Sequence, residues 1–190
     1  MTTMTLLPRS RPLTYADLEA LPDDGRRYEL VDGTLVVTPS PMWRHQQAVT
    51  QLAAQLVATC PEHLTALVAP LDVRFGDETV LQPDIVVARV TDFVAGRLHG
   101  VPELAVEVLS PSTRLVDLTL KRAALERAGC PSYWLVDPDE PNLTVLELRS
   151  AGDEPSGYDE VLRVVGAEEA AAERPFAVRL TPAALVGPAT

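Results

Sequence analysis

Residues 82–87 read Gln-Pro-Asp-Ile-Val-Val, and residues 103–109 read Glu-Leu-Ala-Val-Glu-Val-Leu. Runs so rich in aliphatic and β-branched residues predict buried strands of a sheet. Because side chains alternate between the two faces of a strand, Glu107 shares its face with apolar neighbours. A carboxylate in such a run is costly to bury unless it is paired or binds a cation. Asp84 and Glu107 are therefore candidates for a buried site, although each alone also fits a strand-end position.

The basic residues supply a third candidate. The chain has fifteen arginines and one lysine, Lys121, which follows Glu107 by fourteen residues. Two carboxylates and a lysine form the minimum set that can hold a divalent metal and a phosphodiester together. An arginine could not replace the lysine if its proton had to move, because arginine is always protonated. A simpler interpretation remains open, since Asp117 at i−4 offers Lys121 an ion pair on a helix surface.

Turn and capping signals divide the rest of the chain into helices and strands. A capping box at Thr14 and Asp17 predicts the start of the first helix. Ser40 is the predicted N-cap of the second helix, with proline at its first position. The predicted helices are 14–21, 41–60 and 118–128. The predicted strands are a hairpin at 27–37 with its turn at 32–33, then 64–75, 80–87, 103–109, 132–136, 143–148, 161–165 and 176–180.

The helices are few and flank a mixed sheet, so the predicted class is α/β or α+β. A length of 190 residues suits one domain. We expect this domain at 13–180, between a flexible N-terminal tail at 1–12 and a C-terminal tail at 181–190. No apolar run reaches the roughly 18 residues of a membrane span, and no signal-peptide pattern is present. Cys60 and Cys130 form no CxxC motif and predict buried thiols, so we expect a cytoplasmic protein.

The charge distribution limits the kinds of partner. A net charge of −11 argues against a protein that coats nucleic acid through bulk electrostatics. A local basic patch inside an acidic surface remains possible. Four cationic residues fall within fourteen positions, namely Arg114, Lys121, Arg122 and Arg127. Any positive potential is therefore expected near the segment from Glu107 to Lys121.

Six elements of the sequence form a combined pattern. They are Tyr28–Gly33, Ser40–His45, Gln82–Val87, Glu107–Thr113, Lys121 and Gly129–Pro138. In this combination the chain resembles the Uma family, bacterial proteins classed as restriction endonucleases within the PD-(D/E)XK nuclease superfamily. The resemblance covers most of the chain, from Leu13 to Leu148.

The resemblance implies a restriction-endonuclease-like core, in which a central mixed sheet presents an Asp and a Glu to Mg²⁺ or Mn²⁺. Asp84 and Glu107 match these two positions. The lysine of the superfamily usually stands two residues after the acidic residue, where this chain has Leu109. The Uma pattern places a lysine on the following helix, and Lys121 matches it. Glu29 matches an early glutamate that adds a metal ligand or binds a metal-bound water, although it also fits an exposed hairpin residue.

The implied activity is metal-dependent hydrolysis of DNA phosphodiester bonds. The metal would activate a water and polarise the phosphoryl group. Lys121 would stabilise the developing negative charge or orient the attacking water. The candidate substrate contacts are Arg114, Arg122, His45 and Ser110. Two alternatives remain open: a nuclease-fold module that binds or assembles without turnover, and a hydrolase acting on another phosphate ester. A homodimer is expected, because duplex-cutting enzymes of the superfamily commonly pair.

Overall fold

The computed structural model describes residues 11–151 and 154–187. Its strands are, in chain order, β1 (Arg27–Val31), β2 (Thr34–Thr38), β3 (Leu64–Val68), β4 (Val73–Arg74), β5 (Val80–Leu81), β6 (Ile85–Arg89), β7 (Phe93–Val94), β8 (Arg97–Leu98), β9 (Leu104–Val108), β10 (Ser132–Asp137), β11 (Asn142–Ala151), β12 (Glu154–Val165), β13 (Ala170–Ala172) and β14 (Val178–Leu180). Its α-helices are α1 (Tyr15–Glu19), α2 (Trp43–Thr59), α3 (Arg114–Val116), α4 (Arg122–Ala128) and α5 (Pro182–Val186). A 3₁₀ turn covers Val90–Asp92, and a π-helical turn at Asp117–Lys121 joins α3 to α4.

Six strands form the central sheet in the order β12-β11-β10-β9-β6-β3. β9 and β10 are parallel and the other neighbours are antiparallel, so the sheet is mixed, as predicted. A parallel pair needs a crossover connection, which is usually helical. Here the crossover is the continuous helix made of α3, the π-helical turn and α4, and it carries Lys121.

Each face of the central sheet has its own core. On one face α2 and α5 pack against the sheet, in a cluster that includes Leu52, Leu56, Ile85, Val106, Trp134 and Leu185. On the other face lie the crossover helix and a four-stranded sheet of order β2-β1-β5-β4, in a cluster that includes Val31, Leu81, Ala105, Leu109, Leu125 and Tyr133. Strand alternation places Glu107 on this second face, beneath the crossover helix.

The second helix begins later than predicted. Its N-cap is Met42 and not Ser40. In the first turn of the helix, the Arg44 guanidinium donates to the Pro138 carbonyl at 2.8 Å, which anchors this end of the helix. The predicted end is confirmed, since Cys60 is the C-cap.

The predicted strand at 80–87 is two strands that belong to different sheets. Val80–Leu81 lies in the four-stranded sheet, and the chain enters the central sheet only at Ile85. Pro83 explains the interruption, because proline has no N–H to donate to a strand ladder. Asp84 therefore occupies the first position before a buried strand, at the junction between the two sheets.

The predicted helix at 118–128 starts earlier, at Arg114, and contains the π-helical turn. Such turns are rare and are frequently found at functional sites. This one contains Asp117 and Lys121, which are both buried. Gly129 ends the helix as predicted, in the left-handed conformation with φ +81°.

The C-terminal boundary of the domain is also later than predicted. Within the expected tail at 181–190, Pro182–Val186 forms α5, and its Leu185 and Val186 are buried against α2 and the sheet. At the other end, Arg11 pairs with Asp17 at 2.7 Å, while residues 1–10 of the expected N-terminal tail lie outside the described residues. None of the described helices combines the length and hydrophobicity that crossing a bilayer requires.

The turn of the β1–β2 hairpin, confirmed at Asp32-Gly33, provides a test of the fold. A Cβ atom on Gly33 would lie 2.3 Å from the Pro12 Cβ, at a backbone φ of +72°. Gly33→Ala is therefore expected to lower the free energy of unfolding by about 2 kcal/mol or more, measured by urea titration. Gly76→Ala is the matched control, because φ is +85° there and nothing lies within 4 Å. Equal losses in the two variants would show that the contact with Pro12 contributes nothing.

Candidate active site

The two carboxylates singled out in the sequence lie together. The β6–β9 register pairs Ile85 with Val106, so one step further Asp84 lies opposite Glu107 on the same face. The Val108 N–H donates to Asp84 Oδ2 at 2.8 Å, which holds the start of β6 against the end of β9. Both side chains are buried, with Asp84 3% and Glu107 1% exposed.

Asp84 is bound by two basic side chains in addition to the backbone. Arg27 Nη1 donates to Oδ1 at 3.0 Å, and His45 Nε2 lies 3.1 Å from Oδ2. Burial alone would raise the pKa of Asp84, but the His45 hydrogen bond, the charge of Arg27 and the Val108 N–H lower it to about 2. Asp84 is therefore ionised at neutral pH.

Lys121 lies at the centre of three carboxylates. Its Nζ is 2.9 Å from Glu107 Oε1, 3.1 Å from Glu29 Oε1 and 3.3 Å from an oxygen of Asp117, and the lysine is fully buried. Burial lowers the pKa of Lys121, but the charges of Glu107, Glu29 and Asp117 outweigh it and raise the pKa above its ordinary value. The lysine therefore stays protonated.

The pKa values of two acids around Lys121 shift in the opposite direction to the pKa of Asp84. Burial raises the pKa of Glu107 well above its ordinary value, and neighbouring carboxylates add to this while Lys121 opposes it. Burial also raises the pKa of Asp117. Asp117 Oδ1 lies close enough to the Lys121 ammonium to form an ion pair, but the two groups are not oriented for a hydrogen bond. When all three carboxylates around it are ionised, they carry more negative charge than the buried lysine can neutralise.

Seven side chains make up this site, which we call the carboxylate cluster: Arg27, Glu29, His45, Asp84, Glu107, Asp117 and Lys121. Its four carboxylates face two permanent cations, so with every acid ionised and the histidine neutral its net charge is −2. A divalent cation would neutralise this charge, and carboxylate oxygens are the ligands that Mg²⁺ prefers. Among the described residues, no group of three or more Asp, Glu, His or Cys side chains is arranged so that it could hold a metal ion. Mg²⁺ sites often use only one or two carboxylates, with water supplying the other ligands.

Two open interpretations of the sequence are wrong. Glu29 is not an exposed hairpin residue, because it is 0% exposed and accepts the Gln82 N–H at 2.7 Å. Asp117 and Lys121 do not form a surface ion pair, because both residues of the π-helical turn are buried. The lysine ammonium faces the carboxylates.

Two members of the cluster were missed as site residues. Arg27 is two residues before Glu29 on β1, and this period-two spacing places both side chains on one face of the strand. That signal was present in the sequence. Asp117 had no comparable signal, because its burial depends on the π-helical turn and on a contact of its carbonyl with the Tyr133 hydroxyl at 3.0 Å.

The predicted substrate contacts have different surroundings. His45 joins the cluster through Asp84. Arg114 is half exposed and pairs with Asp137 at the end of β10, the edge of the sheet at which β9 also ends. Ser110 follows β9 at the same edge, and its hydroxyl contacts that of Thr113. Arg122 is not brought to the cluster, because its guanidinium donates to the Tyr158 carbonyl on β12 at 3.2 Å.

This fold, a central mixed sheet with opposed carboxylates at the junction of β6 and β9, is of the restriction-endonuclease-like class. The chain matches the profile of the Uma2 family, described as "putative restriction endonuclease", over residues 15–181, and it belongs to that family.

A solved structure supports the same architecture. The chain is similar to a putative nuclease belonging to DUF820 from Anabaena variabilis ATCC 29413. The two chains share 22% sequence identity with a TM-score of 0.74, and the similarity covers 92% of this chain and 98% of that chain. At this level of identity the likeness establishes the fold alone. None of the curated proteins matches the chain.

Proposed function

We propose that the protein is a divalent-metal-dependent endonuclease that hydrolyses DNA phosphodiester bonds. The observation that carries the proposal is the carboxylate cluster, in which buried Lys121 contacts Glu107 at 2.9 Å beside the opposed Asp84, with a net charge that a divalent cation would neutralise. Membership of a family described as putative restriction endonucleases supports the same activity.

Asp84 and Glu107 would hold the cation, Mg²⁺ or Mn²⁺. The contact with Lys121 uses Glu107 Oε1, so Oε2 can serve as a ligand atom. When bound, the cation would supply Lewis-acid polarisation of the phosphoryl group and a water of lowered pKa. Glu29, the third ligand that the family resemblance implies, is bonded to Lys121 and to a backbone N–H. We therefore propose that Glu29 acts mainly by positioning the lysine.

Lys121 would act through its charge. Its raised pKa keeps the ammonium protonated, so it serves as a fixed positive charge and hydrogen-bond donor and not as a base. Three carboxylates hold the ammonium in place before substrate arrives, so no reorganisation is needed as negative charge develops on the phosphate. This corresponds to electrostatic preorganisation, which is usually a large contribution to catalysis.

DNA would approach along the sheet edge that carries Ser110 and Arg114. Arg114 is half exposed, and its guanidinium suits a phosphate contact if it exchanges Asp137 for the substrate. We place no substrate contact at Arg122, which is engaged with β12. A cytoplasmic homodimer would present two such sites to the two strands of a duplex.

The direct test is cleavage of supercoiled plasmid by the purified protein in Mg²⁺ or Mn²⁺. We expect nicked and linear products with either cation and none in excess EDTA. Glu107→Ala, purified in parallel, controls for contaminating nucleases. Equal cleavage by the variant and by wild type would refute the proposal.

A second candidate function has one observation in its favour. Both oxygens of Asp84 are already bonded to protein donors, Oδ1 to Arg27 and Oδ2 to His45 and the Val108 N–H. This arrangement suits a nuclease-fold module that binds DNA or assembles with a partner without turnover. Retarded migration of DNA together with no cleavage in any divalent cation would favour this second function.

A further inference from the structure

Arg27 is the one permanent cation of the carboxylate cluster that the proposed reaction does not use. Its Nη1 donates to Asp84 Oδ1 at 3.0 Å, and its Nε lies 3.8 Å from Glu29 Oε2. The Nε is buried yet has no hydrogen-bond partner among the described residues. A guanidinium offers five donors in a fixed fork, and a site built for it usually satisfies several of them. Arg27 is therefore incompletely held.

Arg27 and Lys121 differ in how deeply their side chains are buried and in how many carboxylates they contact. The Lys121 side chain is 1% exposed and touches three carboxylates, whereas Arg27 is 21% exposed and hydrogen-bonds to one. Arg27 also comes from the first strand of a hairpin, while Lys121 comes from a helix packed on the central sheet. Of the two cations, Arg27 is the one that can leave the cluster without opening the core.

We propose that Arg27 is a resident counter-ion that competes with a divalent cation for Asp84, so that its guanidinium must release Asp84 Oδ1 for the cation to bind there. This inference rests on the proposed function, because it concerns the same cation. With every acid ionised and Arg27 in place, the cluster has a net charge of −2, and a cation reaches Asp84 Oδ1 only after it displaces the guanidinium. Removing the arginine charge takes the net charge to −3 and frees the Asp84 oxygen.

The test is a titration of metal-free protein with Mn²⁺, in which free Mn²⁺ is measured by electron paramagnetic resonance. Arg27→Gln is expected to bind Mn²⁺ about tenfold more tightly than wild type or better, because a unit positive charge beside the ion is lost. Arg27→Lys keeps the charge and is expected to stay within a few-fold of wild type. Arg26→Gln is the matched control, since it removes the same charge one residue away at an exposed pair with Asp24.

If Arg27 instead holds Asp84 in position for the cation, Arg27→Gln should bind Mn²⁺ more weakly than wild type. Weaker or unchanged Mn²⁺ binding by Arg27→Gln would overturn the inference while leaving the metal-dependent function intact. Mn²⁺ binding by neither wild type nor variant would refute both. Circular dichroism melting checks that each variant is folded, and Arg27→Met provides a second uncharged variant that keeps the aliphatic stem. Binding by Arg27→Gln or Arg27→Met where wild type binds none would support the inference.

Discussion

Glu107→Gln is expected to lose at least roughly 10³-fold of the DNA-cleaving rate, because it removes one of the two charged ligands on which the cation would depend. Glutamine keeps the shape of the side chain and an oxygen that can still accept from Lys121, a contact of 2.9 Å in the wild type. The loss of rate therefore reports on charge at this position and not on a cavity.

The same substitution is expected to leave the free energy of unfolding unchanged or raised. Burial and neighbouring acids raise the pKa of Glu107, so the folded state binds this proton more tightly than the unfolded state does. The stability that this proton provides is fully present below the unfolded glutamate pKa of about 4.3 and is lost as the pH rises through the higher folded pKa. The advantage of Glu107→Gln over wild type should therefore grow with pH above about 4.3.

Urea unfolding in EDTA at several pH values measures the stability, and single-turnover plasmid cleavage measures the rate. The matched control is Glu103→Gln. The Glu103 carboxylate lies just before the same strand and pairs with exposed Arg89 at 2.7 Å. It should change neither quantity appreciably. A Glu107→Gln protein that cleaves within tenfold of wild type would remove Glu107 from the catalytic group.

The pair of acids could be predicted because its signal is local. Each acid lies within or beside a run of residues that must be buried, and an acid in such a run needs a partner. The lysine could be proposed because it is the one lysine of the chain and because the family resemblance places a lysine on the following helix. The mixed sheet followed from the order of strand and helix patterns, and it is confirmed.

The contacts that complete the site could not be predicted, because they depend on long-range packing. Arg27 reaches Asp84 only because β1 joins the four-stranded sheet through the pair of Leu30 with Val80, fifty residues away. Asp117 is buried within the π-helical turn of the crossover helix, a turn that the helix pattern of the sequence does not indicate. The helix pattern alone suggests a solvent-exposed ion pair at this position.

The stability of the site is expected to depend on its buried lysine. Lys121→Met keeps an unbranched apolar side chain of nearly the same length and removes the ammonium that lies within 3.3 Å of three carboxylates. Breaking a buried ion pair by removing one partner leaves uncompensated charge, so we expect the free energy of unfolding to fall by about 3–5 kcal/mol at pH 8. Loss of cleavage by this variant alone would therefore not show a catalytic role.

A second substitution separates the two roles of the lysine. Lys121→Met combined with Glu107→Gln should recover part of the lost stability, because one fewer acid then needs a counter-ion, but it should recover no cleavage. Arg127→Met is the control on the same helix, since its pair with Asp32 at 2.7 Å is exposed and contributes under about 1 kcal/mol. If urea titration finds Lys121→Met no less stable than Arg127→Met, then the carboxylates are not ionised around the lysine, and the charge argument for a divalent cation in the cluster fails with it.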